Sequence, residues 1–135
     1  MAKKTGRICV IDIGSNSVRL VVYDGFKRAA IPLFNEKVLC GLARGMEKDG
    51  KLNSKAKKSV LNTIDRFIKI IEVMGVSDVT AFATSAIRDA KDGEKLVKEI
   101  EENFNIDVNV VSGADEAKYA ALGIASGFHR PDGVV

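Results

Sequence analysis

The sequence is short of the residues from which several common kinds of site are built. It has one histidine, His129, two cysteines, Cys9 and Cys40, and no tryptophan among its 135 residues. No metal-ligand spacing surrounds either cysteine, which argues against a disulfide framework, a zinc site and a catalytic pair of serine or cysteine with histidine. Both cysteines fall inside apolar runs, where a free buried thiol is usual. We therefore expect structural roles for these three residues.

The sequence also lacks a large excess of one charge, and it has no long apolar run. The formal net charge is +3, from 21 Lys and Arg against 18 Asp and Glu, with the two signs interleaved. This balance argues against a nucleic-acid partner, although a mild positive excess suits a small polyanionic substrate. No run is long enough to span a membrane and the N-terminus does not resemble a signal peptide, so we expect a cytoplasmic location without membrane contact.

The composition that remains is that of one globular domain, with 46% hydrophobic and 29% charged residues. Two β-branched apolar runs, residues 7–13 and 17–23, flank three turn-forming residues and predict an antiparallel hairpin. A third strand is predicted over residues 29–39, and its proline favours an edge position or an irregular start. Residues 41–53 are rich in glycine and charge, which predicts a loop.

Helical periodicity dominates the rest of the chain. Apolar residues recur at helical spacing from Val60 to Met74, after a cap at Asn53 or Ser54. The lysines at the start of this helix are interpreted as its solvated first turns. A strand at 79–83, a helix over 96–104, a strand at 107–111 and a helix from Ser112 to about Gly127 then follow. The order β-β-β-α-β-α-β-α predicts an α/β domain with a mixed five-stranded sheet and helices on its faces.

The turn between the first two strands carries the first group of residues suited to chemistry. Asp12 ends an apolar strand, where a carboxylate is costly unless it is paired or metal-bound. Gly14 lets the backbone approach a ligand closely and tolerates positive φ. Ser15, Asn16 and Ser17 add hydroxyl, amide and backbone donors that suit a phosphate whose Mg²⁺ is held by the aspartate. A hairpin turn that bonds only its own backbone explains the same residues equally well.

A second group follows the predicted strand at residues 79–83, at the sheet edge where open α/β folds bind ligands. Thr84 and Ser85 can cap the next helix or touch a substrate. Arg88 can bind phosphate oxygens through its planar fork, or pair with a neighbour such as Asp89. Taken alone, this group is explained better by capping and surface pairing.

A third group, at Ser112 to Glu116, again follows a predicted strand. Ser112 with Asp115 resembles a capping box, and the helix dipole favours both acidic residues in a first turn. Alternatively, Asp115 or Glu116 faces the cleft as a general base for water. The residues themselves do not decide between these explanations.

Together, residues 12–20 (DIGSNSVRL), 84–90 (TSAIRDA) and 112–117 (SGADEA) resemble three landmarks of the exopolyphosphatase and guanosine-pentaphosphate phosphohydrolase (Ppx/GppA) family. They stand in the family's order and at about its spacing, and the resemblance covers nearly the whole chain. The first landmark alone is weak, because actin, the heat-shock chaperones and sugar kinases carry related loops. The resemblance implies a ribonuclease H-like (actin-like ATPase) domain that hydrolyses a terminal phosphoanhydride bond with Mg²⁺ as cofactor.

By position, the resemblance also implies residue roles. Glu116 matches the catalytic base that activates water, Asp12 the carboxylate of the metal region, and Arg88 an active-site arginine. The phosphate-binding loop is implied for the four turn residues Gly14, Ser15, Asn16 and Ser17. One departure is Lys118, which stands where the family commonly has arginine and which could alter local pairing, since the two residues are not interchangeable at bidentate sites.

The resemblance further implies a part that this sequence does not contain. The family's second phosphate loop, an Asp-Ile-Gly-Gly-Gly-Ser-type run, should begin directly after Val135, where Val134-Val135 opens another strand. We therefore expect residues 1–135 to be the N-terminal actin-like phosphatase domain, cut at the first strand of a second domain. The full-length protein is then the enzyme, and this fragment holds half of its active site and is inactive alone.

Several alternatives stay open on the sequence. The substrate is polyphosphate, guanosine pentaphosphate or both, and only family analogy points to a homodimer. A different function is an actin-like nucleotide-binding module that signals or assembles without hydrolysis. A third is a kinase relative that transfers phosphate to an acceptor other than water. Changing Glu116 to Gln discriminates the first two, because only a hydrolase would lose turnover.

Overall fold

The computed structural model describes residues 6–26 and 29–118. Its elements, in chain order, are β1 (Ile8–Ile13), β2 (Ser17–Tyr23), β3 (Pro32–Leu39), α1 (Met46–Asp49), α2 (Ser54–Val73), β4 (Asp78–Ala83), α3 (Ser85–Asp89), α4 (Gly93–Phe104) and β5 (Val108–Val110). Helical backbone begins again at Gly113 and continues to Lys118, where the description ends. The predicted order is confirmed over this part of the chain.

All five strands form one mixed sheet in the order β3-β2-β1-β4-β5. The β1–β2 and β2–β3 pairs are antiparallel, whereas the β1–β4 and β4–β5 pairs are parallel. The first pair is antiparallel because so short a link permits only a hairpin. Pro32 begins the edge strand β3, a position where its missing N–H costs no sheet hydrogen bond. The strand therefore starts later than the predicted residue 29.

The core lies between the sheet and the helices α2 and α4. Alternate residues of β1 and β2 are buried, as the period of a strand requires: Cys9, Ile11, Ile13, Val18, Leu20 and Val22. The matching stripe of α2 is Val60, Ile64, Phe67 and Ile71. Each fully buried side chain of this size contributes about 1.5–3 kcal/mol, so this stripe decides where α2 lies on the sheet. No described helix combines the length and apolar character that crossing a bilayer requires.

Two free cysteines differ in their surroundings. Cys9 is buried, and burial together with the nearby Asp78 carboxylate raises the pKa of its thiol to about 12. Cys40, just after β3, is only half-buried, which corrects the expectation that both thiols lie in the core. His129 lies outside the described residues.

The start of α2 is fixed at the same edge of the sheet as the turn after β1. The Asn53 side chain accepts a hydrogen bond from the Ala56 N–H at 3.0 Å, so Asn53 rather than Ser54 is the cap. The Asn53 N–H donates to the Leu42 carbonyl at 3.0 Å, which ties the cap to the segment that follows β3. Part of the predicted loop, Met46–Asp49, is the short helix α1.

The carboxyl ends of the three parallel strands meet at this edge. The Thr84 N–H, just after β4, donates to the Ile13 carbonyl at 3.1 Å, and the Val111 N–H, just after β5, donates to the Ala83 carbonyl at 3.0 Å. The three sequence groups follow these strands directly. The topology therefore brings residues about 100 positions apart to one edge, as predicted for an open α/β sheet.

Candidate active site

The turn after β1 is closed tightly around Gly14. Its N–H donates to the Ser17 carbonyl at 2.9 Å. Gly14 is not among the glycines with positive φ, which corrects the expectation that the turn needs its conformational freedom. The lack of a side chain matters instead, since an added Cβ would lie 3.3 Å from the Ser17 carbonyl oxygen and 4.0 Å from Thr84 Oγ1.

A segment that the sequence indicated only as loop supports this turn from one side. The Asn16 carbonyl accepts hydrogen bonds from the Cys40 N–H at 2.8 Å and the Gly41 N–H at 3.0 Å. The Ser15 carbonyl accepts from the Ala43 N–H at 3.0 Å. Because each peptide is planar and trans, the N–H groups that share these peptides point away from the supporting segment. The available signal in the sequence was a glycine just beyond the third predicted strand, Gly41, which adopts a φ of 76° in the structure.

A hydroxyl pair joins the first sequence group to the second. Ser15 Oγ and Ser85 Oγ lie 2.5 Å apart, and either can be the donor. One hydroxyl accepts in this pair, so its own proton remains available to another acceptor such as a phosphate oxygen. Thr84 is buried and makes no side-chain capping bond to α3, so the capping explanation for this residue is wrong.

Arg88 joins the second group to the third. Its Nη1 donates to the Val111 carbonyl at 2.9 Å and lies 3.7 Å from Glu116 Oε2, while its Nε donates to Asp89 Oδ1 at 3.3 Å. The expected pairing with Asp89 is therefore present, together with a second pairing across the site. The Arg88 side chain keeps 29% of its surface exposed, and the Glu116 side chain 47%, so both ions face solvent at this edge.

The acidic residues of the third group have different surroundings. Ser112 Oγ accepts a hydrogen bond from the Asp115 N–H at 3.1 Å, which confirms Ser112 as a helix cap. Glu116, one residue further on, carries the ion pair to Arg88 and interacts electrostatically with Asp12. Of the two candidates for a base, Glu116 is the one directed at the other site residues.

Asp12 lies beside this pair on the surface of the sheet. It is reached by solvent rather than enclosed at a strand end, and Arg19 is its cross-strand neighbour on β2. Loss of hydration among surrounding protein atoms raises the pKa of Asp12 above its ordinary value, and the Glu116 charge raises it further, while Arg19 acts in the opposite direction. The negative charge of Glu116 therefore acts on Asp12 across this edge of the sheet.

The described residues around this edge do not enclose a metal ion with protein ligands alone. Within residues 6–26 and 29–118, no group of three or more His, Cys, Asp and Glu side chains could hold an ion. Mg²⁺ is commonly bound by one or two carboxylates, with water and substrate phosphates completing its shell. Asp12 is the carboxylate at this edge that could hold such an ion.

Solved structures with this fold include phosphatases. A Ppx/GppA family member from Aquifex aeolicus superposes with a TM-score of 0.86 at 26% identity, over 93% of this chain and 41% of that one. An exopolyphosphatase from Cytophaga hutchinsonii gives a TM-score of 0.77 at 36% identity, over 83% of this chain and 36% of that one. The ethanolamine utilization protein EutJ from Carboxydothermus hydrogenoformans, at 16% identity and a TM-score of 0.54, shares the fold alone. The fold is the predicted ribonuclease H-like, actin-like one.

Sequence relatives lead to the same family. Exopolyphosphatase 1 of Mycobacterium tuberculosis is 31% identical over 119 residues, which are 87% of this chain and 35% of that protein. The chain thus spans about a third of the length of this curated relative. The sequence model of the Ppx/GppA phosphatase family matches residues 26–135. Because that match covers most of the chain, this protein belongs to the Ppx/GppA phosphatase family.

Proposed function

We propose that this chain is part of a hydrolase that removes the terminal phosphate from inorganic polyphosphate, guanosine pentaphosphate or both. The observation that carries this proposal is the Arg88–Glu116 pair at 3.7 Å, beside Asp12 at the carboxyl edge of the sheet. Phosphoryl transfer to water is promoted by a positive group that stabilises the phosphate charge, here Arg88, next to a carboxylate that accepts the water proton, here Glu116. The membership of the Ppx/GppA phosphatase family supports the same reaction class.

In the proposed reaction Glu116 acts as general base. The water oxygen bonds to the terminal phosphorus, the bond from phosphorus to the bridging oxygen breaks, and the water proton passes to the Glu116 carboxylate. The shortened chain leaves with the electron pair of the broken bond as negative charge. In this proposal the Arg88 guanidinium, beside Glu116, stabilises the negative charge on the oxygens of the transferred phosphoryl group.

The turn residues bind the phosphate in this proposal. Ser15 and Ser85 offer a hydroxyl proton. Gly14 has no side chain, so its backbone can come close to the phosphate. Asn16 and Ser17 complete the loop that surrounds the phosphate. Mg²⁺, held by Asp12, would neutralise phosphate charge when bound.

We further propose that additional chain closes the cleft over this edge. The support is the length of a relative, since the 119 matched residues are only 35% of the M. tuberculosis protein. The exposed positions of Asn16 and Glu116 support it too, because catalysis of phosphoryl transfer depends on excluding bulk water. The second domain expected from the sequence would supply that cover.

The test is phosphate release by the full-length protein and its Glu116→Gln variant, from polyphosphate and from guanosine pentaphosphate with Mg²⁺. We expect kcat to fall about 10²–10⁴-fold, the usual contribution of a general base, with KM little changed. Asp115→Asn, one residue away on the same helical turn, is the matched control and should retain activity. Equal turnover by wild type and Glu116→Gln would refute the assignment. Intact nucleotide binding without any phosphate release would instead favour a binding module.

A further inference from the structure

Two adjoining recesses lie along α2, outside the site described above. One has a volume of about 520 Å³ and is lined in part by Cys40, Arg44 and Ser54. The other has a volume of about 530 Å³ and includes Lys58 and Arg66. Lys55 and Ser59 line both recesses, so the two are continuous. We call this continuous surface the α2 groove.

The α2 groove is basic throughout. Its charged lining residues are Arg44, Lys55, Lys58 and Arg66, and none of its described lining residues is acidic. Arg66 is paired with Glu36 at 2.5 Å. The other three cations form no ion pair with any residue in the described part of the chain. A solvated helix start explains the exposure of Lys55 and Lys58, but it does not explain why they share one depression with Arg44.

The groove begins directly behind the phosphate-binding turn. The Cys40 N–H donates to the Asn16 carbonyl at 2.8 Å, and the same residue lines the groove. The Arg44 guanidinium packs against Gly41, since an added Cβ there would lie 3.1 Å from its Nη2. From Ser54 to Arg66 the helix axis then rises about 18 Å, at ~1.5 Å per residue. The cations are thus spread along a path that leads away from the turn.

We propose that the α2 groove binds a run of phosphates in a long polyphosphate chain, beyond the terminal group held for hydrolysis. The proposal rests on the proposed function and assigns its substrate class. Spaced cations with hydroxyl and amide groups between them suit a linear anion of repeated charge. A guanosine base would need an aromatic or broad apolar surface for stacking, and neither recess contains an aromatic residue. The groove therefore favours inorganic polyphosphate over guanosine pentaphosphate.

The test compares the double variant Lys55→Gln/Lys58→Gln with wild type in the full-length protein. Both lysines are exposed, so folding is preserved. We expect KM for long-chain polyphosphate to rise about fivefold, as loss of two exposed charge contacts predicts, with kcat unchanged. KM for tripolyphosphate, which has only two phosphates beyond the terminal one, should change much less. The slope of log KM against log salt concentration should fall in magnitude by about 1.4, or ~0.7 for each lysine.

The control removes two lysines that line neither recess, as Lys69→Gln/Lys98→Gln, and should leave every KM unchanged. An unchanged KM for long-chain polyphosphate in Lys55→Gln/Lys58→Gln would overturn the proposal. So would an equal rise for tripolyphosphate or guanosine pentaphosphate, because the lysines would then act at the terminal phosphate. If the full-length protein releases no phosphate from any substrate, the proposed function fails. Titration calorimetry with long-chain polyphosphate then tests the groove separately, through a fivefold weaker dissociation constant in the double variant.

Discussion

Gly93 illustrates how a single absent methyl group determines a junction between helices. It is buried at the start of α4, and an added Cβ would lie 1.8 Å from the Ile87 carbonyl oxygen of α3. Since that neighbour is backbone, Gly93→Ala must displace one helix, and we expect a loss of about 3 kcal/mol in the free energy of unfolding. Gly113→Ala, where nothing lies within 4 Å, should change it by less than about 0.5 kcal/mol. Urea unfolding of both variants measures the difference, and equal stabilities would contradict the steric argument.

At the residue scale, the sequence predicted which residues lie together, but it did not predict which of their atoms are in contact. Asp12, Arg88 and Glu116 were indicated because Asp12 lies near the end of a strand and the other two lie shortly after strands that end at the same edge. The contact between Ser15 Oγ and Ser85 Oγ spans 70 positions, and no local pattern encodes it. The Arg88–Val111 hydrogen bond depends on the parallel register of β4 and β5, which periodicity alone does not specify.

Asp92 connects two elements, since it directly precedes α4 and its side chain bonds to residues before and inside the first turn of α2. Its Oδ1 accepts from the Leu52 N–H at 2.9 Å, and its Oδ2 lies 3.0 Å from Lys57 Nζ. Asp92→Ala removes both contacts and leaves the Leu52 N–H without its acceptor. We expect it to lower the free energy of unfolding at neutral pH by about 1–2 kcal/mol. Asp65→Ala, which removes only the exposed pair with Lys69, should lower the free energy of unfolding far less than Asp92→Ala does.

The effect of Asp92 should also depend on pH. Burial acts to raise the pKa of Asp92, but hydrogen bonds from Leu52 and Lys57 and the Lys57 charge outweigh it, so the pKa lies below the ordinary value of 3.8. A group with a lowered folded pKa contributes stability above its unfolded pKa and loses it as the pH falls through the folded value. The difference between wild type and Asp92→Ala should therefore be constant from about pH 5 to 7 and shrink below about pH 4. Urea unfolding across this range measures it, and a difference that grows in acid would reject the assignment.

At the element scale, long elements were predicted well and short ones were not. The α2 stripe repeats over several turns, so its existence and its end near Gly75 could be derived from spacing, whereas the choice of Asn53 over Ser54 as its cap could not. The helices α1 and α3 have four and five residues, too few for a period to be visible. The segment at 40–44 has no regular pattern, yet it supports the phosphate turn and begins the α2 groove. Its importance comes from hydrogen bonds formed only after β3 is in place.

At the scale of the whole molecule, our proposals divide the work between two parts: the phosphate turn and the α2 groove lie in the chain described here, and the proposed cover of the cleft lies in additional chain. Binding and turnover should therefore separate when the 135-residue chain is compared with the full-length protein. The short chain should bind long-chain polyphosphate, because the cations that contact it are present. Its kcat/KM should be lower by about 10³-fold or more, because positioning and water exclusion require the second half of the site.

Calorimetry and phosphate release on the same two proteins test this separation. Circular dichroism with a cooperative thermal transition first verifies that the short chain is folded. Turnover by the short chain equal to that of the full-length protein would reject the need for a second domain, since the Arg88–Glu116 edge would then suffice. Failure of a folded short chain to bind polyphosphate would place the binding determinants elsewhere in the longer protein. Binding without turnover would assign substrate capture to this domain and catalytic closure to its partner domain.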